Sequence, residues 1–241
     1  MLRSSQNLPD HLAAVRARIT AAAAGAGRNV DSVTLLGVSK GQTAELIRAA
    51  AAAGLTDIGE SYLAEALEKM DTLGDLPLTW HFIGRLQANK TRQVAERFAW
   101  VHGLDRLKIA ERLAAQRPFH APALNVCIQV NVAGEASKGG VPAAELPDLA
   151  AAVAALPRLA LRGLMCIPPE ETAPGRQREW FARLRALRDS LNAGGLSLDT
   201  LSMGMSGDFE AAIQEGATLV RVGTAIFGPR PVTAPRTIPE S

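Results

Sequence analysis

With 241 residues, 47% of them hydrophobic but only 4% aromatic, the chain can bury a sizeable Ala-, Leu- and Val-rich core in one large domain. Its 26 basic and 24 acidic residues leave a formal charge of +2, too balanced to imply nucleic acid or another polyanion as partner. Two cysteines, Cys127 and Cys166, each set in an apolar run, argue against a disulfide framework, and the lack of any run of about 18 apolar residues argues against a membrane span.

The opening element, Pro9 to Ala24, reads as a helix with Leu12, Val15, Ile19 and Ala22 on one face, stopped at Gly25 and Gly27. Arg16 and Arg18 lie within it, which does not fit a secretory leader, so a soluble, cytoplasmic protein is expected. A strand–helix rhythm follows. Val33–Lys40 (VTLLGVSK) is a strand and Thr43–Ala53 a helix; Asp57–Glu60 is a short strand and Ser61–Asp71 a helix. Leu78–Gly84 is a strand and Ala88–Arg97 a helix; Ala99–Leu104 is a strand, with Asp105 as N-cap of a helix ending near Arg117. Leu124–Asn131 (LNVCIQVN) is the clearest strand, followed by a helix from Pro142 to Leu156. Leu159–Ile167 is a strand and Arg176–Asn192 an amphipathic helix; Thr200–Met203 is a strand, Gly207–Glu215 a helix, and Leu219–Thr224 an eighth strand.

Strands apolar on both faces and alternating with helices predict an α/β protein, a single (β/α)8 TIM barrel with an extra N-terminal helix that caps or flanks its floor. The competing arrangement, an open doubly wound sheet, usually carries a Gly-rich turn after its first strand, and VSKGQTAE contains no GxGxxG. Residues 1–228 then form one domain. Residues 229–241, with Pro229, Pro231, Pro235 and Pro239, form a flexible tail without packing potential.

In such a barrel, function sits at the C-terminal ends of the strands. There the chain places Lys40, Glu60, Ser61, His81, Asn131, Ser202, Arg221 and Thr224. Lys40 ends an apolar run, where burial and nearby cations lower an ammonium pKa and enlarge the nucleophilic fraction; a lysine snorkelling from the barrel mouth is the plainer alternative. The segment SMGMSGD, Ser202 to Asp208, leads from a strand into a helix and offers free N–H groups at the positive end of the helix dipole. In VRVGTAIFG, Gly223 lets a ligand approach the backbone and Thr224 offers a hydroxyl. Ser206 could be only a helix cap and Gly223 only a tight turn, but both together after strands seven and eight favour phosphate. Closure brings strand eight beside strand one, so an amine and an anion site adjoin. A sugar phosphate in an aldolase, or pyridoxal phosphate, fits that description. His11, His81, His102 and His120 show no HExxH-type spacing, so no metal is expected, and Arg85, Lys90 and Arg92 read as a solvated helix start.

Seven segments occur in order: VTLLGVSK around Lys40, IGESYLAEA from Ile58, WHFIGRLQANKT from Trp80, QVNVAGEASKGG from Gln129, GLMCIPP from Gly163, LSMGMSGDFEAAI from Leu201 and VRVGTAIFG from Val220. Together, from Asn7 to Gly228, they resemble the pyridoxal phosphate homeostasis proteins, which look like the barrel half of alanine racemase standing alone. The resemblance implies pyridoxal 5'-phosphate as cofactor, bound as a Schiff base on Lys40. It also implies phosphate contacts at Ser202, Ser206, Gly223 and Thr224, and Arg221 near the pyridine nitrogen. Arginine only donates hydrogen bonds, so a pyridine nitrogen facing it stays unprotonated and the ring is a weaker electron sink.

Nothing folded is expected after Gly228, and Tyr62 is the only tyrosine. The expectation is therefore a monomeric carrier or regulator in intracellular cofactor homeostasis, serving PLP-dependent apo-enzymes transiently and without strong turnover. An amino-acid racemase or Schiff-base aldolase on the same barrel is the alternative, with Tyr62 and His81 as its acid/base candidates. The chain departs from the family pattern at Ser61, where an asparagine is usual, and at Gly41–Gln42, which predict a looser entrance beside the lysine. His81 and Asn131 are assigned no role.

Overall fold

The computed structural model of the chain describes residues 7–135, 139–169 and 174–229. Its strands are β1 (Thr34–Val38), β2 (Asp57–Glu60), β3 (Thr79–Phe82), β4 (Trp100–Leu104), β5 (Leu124–Gln129), β6 (Leu159–Met165), β7 (Thr200–Ser202) and β8 (Leu219–Val222). They pair in chain order, all parallel, and β8 closes on β1 with Leu36 opposite Arg221. The expected barrel is the observed one.

The helices are α1 (Leu8–Gly25), α2 (Ala44–Ala52), α3 (Leu63–Thr72), α4 (Thr91–Arg97), α5 (Leu107–Gln116), α6 (Leu146–Ala154), α7 (Pro174–Ala193), α8 (Phe209–Gln214) and α9 (Thr224–Phe227). Strand residues that point outward pack under them; Phe82, for example, meets Phe98 edge-on at 5.4 Å. With four residues, α9 is too short to cover β8. The opening helix does so instead. It packs against α8, α9 and α2 and buries Leu8, Leu12, Val15, Ile19 and Ala23, so it flanks the barrel wall and does not cap the floor. Arg16 donates from Nη1 to Ala53 O (2.9 Å) and from Nη2 to Gly54 O (2.7 Å), placing a cation on the carbonyl end of α2. No helix among the described residues is long and apolar enough to cross a membrane.

Three local expectations give way. Lys40 lies two residues beyond β1, not within it. Asp105 is not the N-cap of α5: Arg106 occupies that position without a side-chain cap bond, and the Asp105 carboxylate lies 3.5 Å from Arg106. The helix expected from Pro142 begins at Leu146, because Val141 bridges to Val130 and Pro142–Glu145 closes a turn first. Beyond Pro229 the proline-rich stretch lies outside the described residues.

Close strand contact depends on Gly163 in β6, where a Cβ would sit 1.8 Å from Thr200 O. Gly163→Ala is expected to force β6 from β7 and cost about 3 kcal/mol, read as a lowered urea midpoint.

Candidate functional site

The peptide carrying Lys40 is pinned from behind by a buried ion cluster. Ser39 Oγ donates to Glu60 Oε1 (2.5 Å), and Lys69 Nζ donates to Ser39 O (2.7 Å), Glu60 Oε1 (2.6 Å) and Glu65 Oε1 (2.5 Å). Gly41 N–H donates to the same Glu65 oxygen at 2.6 Å, with φ of 73° at Gly41, a left-handed conformation that suits glycine. The carbonyl before Lys40 and the amide after it are thus both fixed by groups on α3. Glu60 is fully buried and its Oε2 finds no partner among the described residues; burial pushes its carboxyl above the usual range, against the pull of Lys69 and Ser39. The Gly41–Gln42 departure does not loosen the entrance. Gln42 is buried and reaches Gly228 O from Nε2 at 3.4 Å. Sequence reasoning misses this cluster. The one signal for it was the Glu65–Lys69 spacing of four, which also describes any solvated helix face.

Across from that loop, Lys40, Gly223 and Thr224 line one cavity of about 40 Å³, together with Val38, Gln42 and Gly228. This volume suits a small polar group at the end of a larger ligand. A Cβ at Gly223 would stand 3.0 Å from Val38 O, so glycine is what lets β8 run so close to β1 here. Ser206 lies half-buried in the turn between β7 and α8. That turn is shaped by Gly204 (φ 92°) and by Asp208, whose Oδ1 accepts from Met205 N–H at 2.6 Å. Larger hollows of about 420 and 390 Å³ open at the floor, at the opposite end from the strand C-termini, and one of about 570 Å³ opens at the rim beside Ser61, Tyr62 and Gly84. The small rim cavity, lined by Lys40, is the chemically informative one.

Arg221 and Ser202 lie inside the barrel. Arg221, 4% exposed, donates from Nη1 to Ser202 O (2.6 Å) and Ser202 Oγ (2.9 Å), and from Nη2 to Cys166 O (2.8 Å). Three of its five N–H donors are therefore spent on the protein. Ser202 Oγ also meets His102 Nδ1 at 2.7 Å. Because β4 and β7 are not neighbours in the barrel, that bond crosses the lumen. His102 Nε2 contacts His81 Nδ1 at 3.0 Å, and His81 Nε2 contacts Asp57 Oδ1 at 3.0 Å. The six sequence candidates thus divide. Lys40, Gly223 and Thr224 share the rim cavity, Ser206 lies in the β7–α8 turn, and Ser202 and Arg221 occupy the lumen, with the serine hydroxyl already engaged.

Burial holds His81 below its ordinary pKa, against the opposing hydrogen bond to Asp57, and holds His102 well below it. Burial also pushes the Cys127 and Cys166 thiols up to about 12, so neither is a nucleophile. A depressed folded pKa means that the unfolded chain takes up protons first. The histidines' contribution is therefore intact above the unfolded value of 6.5 and is lost as pH falls below it. Glu60 and Asp208, both raised by burial, act in the opposite sense at lower pH. We expect urea-unfolding stability to drop by about 1 kcal/mol between pH 6.5 and about 5.5, and to drop less in His102→Gln.

Residues 11–231 match the family model described as "Alanine racemase, N-terminal domain". The pyridoxal phosphate homeostasis protein of Pseudomonas aeruginosa is 58% identical over 228 residues, covering 95% of this chain and 98% of the relative. The protein of that name from Escherichia coli K12 is 50% identical over 227 residues, covering 93% and 97%. The chain belongs to the pyridoxal phosphate homeostasis protein family. The solved structure of PipY of Synechococcus elongatus with pyridoxal phosphate bound superposes with a TM-score of 0.82 at 36% identity, covering 92% of this chain and all of that one. The same protein without the ligand gives 0.83 at 37% identity. Within this family fold, Lys40 and Gly223–Thr224 follow the ends of adjoining strands, β1 and β8, and line one cavity at the rim.

Proposed function

We propose that the chain binds pyridoxal 5'-phosphate at this rim, as a Schiff base on Lys40, and serves to buffer and deliver the cofactor. The observation that carries the reading is that Lys40 lines one small cavity with Gly223 and Thr224. The donor set suits the ligand: a primary amine for the aldehyde, hydroxyls at Ser206 and Thr224 for the phosphate, and a buried guanidinium at Arg221 for the ring. When bound, the cofactor supplies an electrophilic aldehyde and a conjugated ring that withdraws electrons. Lys40 provides the attacking amine, on a peptide fixed by Lys69 and Glu65. Arg221 can only donate to the pyridine nitrogen, so it holds the ring in its unprotonated, less electron-withdrawing form. Ser202 serves by orienting Arg221. The acid/base groups a racemase would need are poorly placed: Tyr62 is 58% exposed on the surface, and His81 is bonded on both nitrogens inside the lumen.

Titrating purified protein with pyridoxal 5'-phosphate tests this reading. The expected result is a visible absorbance band saturating at one ligand per chain; an unchanged ligand spectrum would defeat it. Chiral analysis after incubating the loaded protein with single amino-acid enantiomers is expected to show no inversion, and inversion would overturn the carrier role.

A further inference from the structure

The hydrogen bonds inside the barrel have a direction. Arg221 Nη1 donates to Ser202 Oγ, so the serine proton is free to donate to His102 Nδ1 at 2.7 Å. His102 Nδ1 is then an acceptor, and its ring, neutral in full burial, carries its proton on Nε2. That proton meets His81 Nδ1 at 3.0 Å, which must accept, leaving His81 Nε2–H to donate to Asp57 Oδ1 at 3.0 Å. Every donor points from the rim towards the floor. The terminal acceptor cannot reverse the order, because an ionised carboxylate only accepts. Burial pushes the Asp57 carboxyl up, but its bonds from His81 and Thr56 outweigh this and hold it below its ordinary value. The floor hollow of about 390 Å³ is lined by both Asp57 and His81.

We propose that Asp57, His81 and His102 are positioning residues for the cofactor site, acting through Ser202 to set the orientation of Arg221. This rests on the reading of Arg221 as the ring-facing group. No ion pair holds the guanidinium among the described residues; its contacts are two carbonyls and the Ser202 hydroxyl. That hydroxyl accepts from Arg221 while it donates its own proton to His102, which fixes its orientation. If the chain lost its end, His81 and His102 could each move their proton to Nδ1. His102 Nδ1–H would then compete with Arg221 for the same serine oxygen. The neighbouring groups leave the order undisturbed. Trp100 stacks on His81 at 5.5 Å with its ring 6° from parallel, and Arg162, 5.3 Å above Trp100, is bound by Asp199 at 2.5 Å.

Imidazole 15N spectra of the cofactor-free protein read both tautomers directly. The expected result for the wild type is Nε2–H on His81 and on His102. In Asp57→Leu the chain has no terminal acceptor, and Nδ1–H forms together with about a 10-fold loss of pyridoxal 5'-phosphate affinity are expected. Asp57→Asn keeps an acceptor oxygen and is expected to restore both the tautomers and the affinity. Nδ1–H on either ring of the wild type would overturn the proposal whatever the variants do, and so would unchanged affinity in Asp57→Leu. A wild type with the expected tautomers but no cofactor band would fail the function above, and the positioning role with it, while leaving the chain of bonds standing.

Discussion

Lys40→Ala is expected to abolish the visible band formed with pyridoxal 5'-phosphate and to weaken binding by about 10-fold or more. Part of the affinity should survive, because the donors at Ser206, Gly223 and Thr224 do not depend on the amine. Inorganic phosphate should therefore still compete for the residual site. Calorimetry against the cofactor, with and without phosphate, reads both parts. A variant that keeps the band would remove Lys40 from the account, and one that binds as tightly as the wild type would show that the covalent bond contributes little.

Lys69→Met is expected to have the largest effect on stability of any change near the site. Lys69 and Glu60 are 7% and 0% exposed, and removing the ammonium leaves a buried carboxylate with Ser39 as its one remaining donor. Breaking such a pair costs about 3–5 kcal/mol, which in a chain of this size lowers Tm by about 10 °C. The Glu60 carboxyl is already raised in the folded protein, and without Lys69 it rises further. A raised folded pKa means that the group's contribution is present below the unfolded value and is lost as pH rises through the folded one. The deficit of Lys69→Met should therefore be greatest at neutral pH and narrow as the solution is acidified towards pH 5. Adding Glu60→Gln should recover most of it, because no charge is then left buried. Cofactor affinity should fall with stability in Lys69→Met, since Ser39 O loses its donor and Glu65, which accepts from Gly41 N–H, loses the ammonium that holds it. An unchanged Tm would mean that the cluster is not what holds the Lys40 peptide.

The barrel was legible because each strand had to be apolar on both faces. LNVCIQVN and VTLLGVSK announce that requirement in a few residues, and turn residues separate them from helical stretches. Ends were harder. Asp105 has good capping chemistry, yet α5 starts two residues later, and the bridge between Val130 and Val141 delays α6 past Pro142. At the site, Lys40, Gly223 and Thr224 could be found by counting strand ends, since barrel closure alone makes them neighbours. The lumen chain could not. It runs through Asp57, His81 and His102 on neighbouring strands and then crosses the lumen to Ser202, and no local pattern records a bond between β4 and β7. His81 and Ser202 were visible as strand-end polar residues, but which way they faced depended on register. The Lys69 cluster was hidden for a different reason, because a Glu–Lys pair four apart looks the same buried or exposed.

Reducing the pyridoxal 5'-phosphate-loaded wild-type protein with borohydride, digesting it and locating the modified peptide by mass spectrometry tests the chemistry at its source. The account predicts a single phosphopyridoxyl group, on Lys40. Modification at Lys69, Lys90, Lys108 or Lys138, or a digest with no modified peptide, would contradict it.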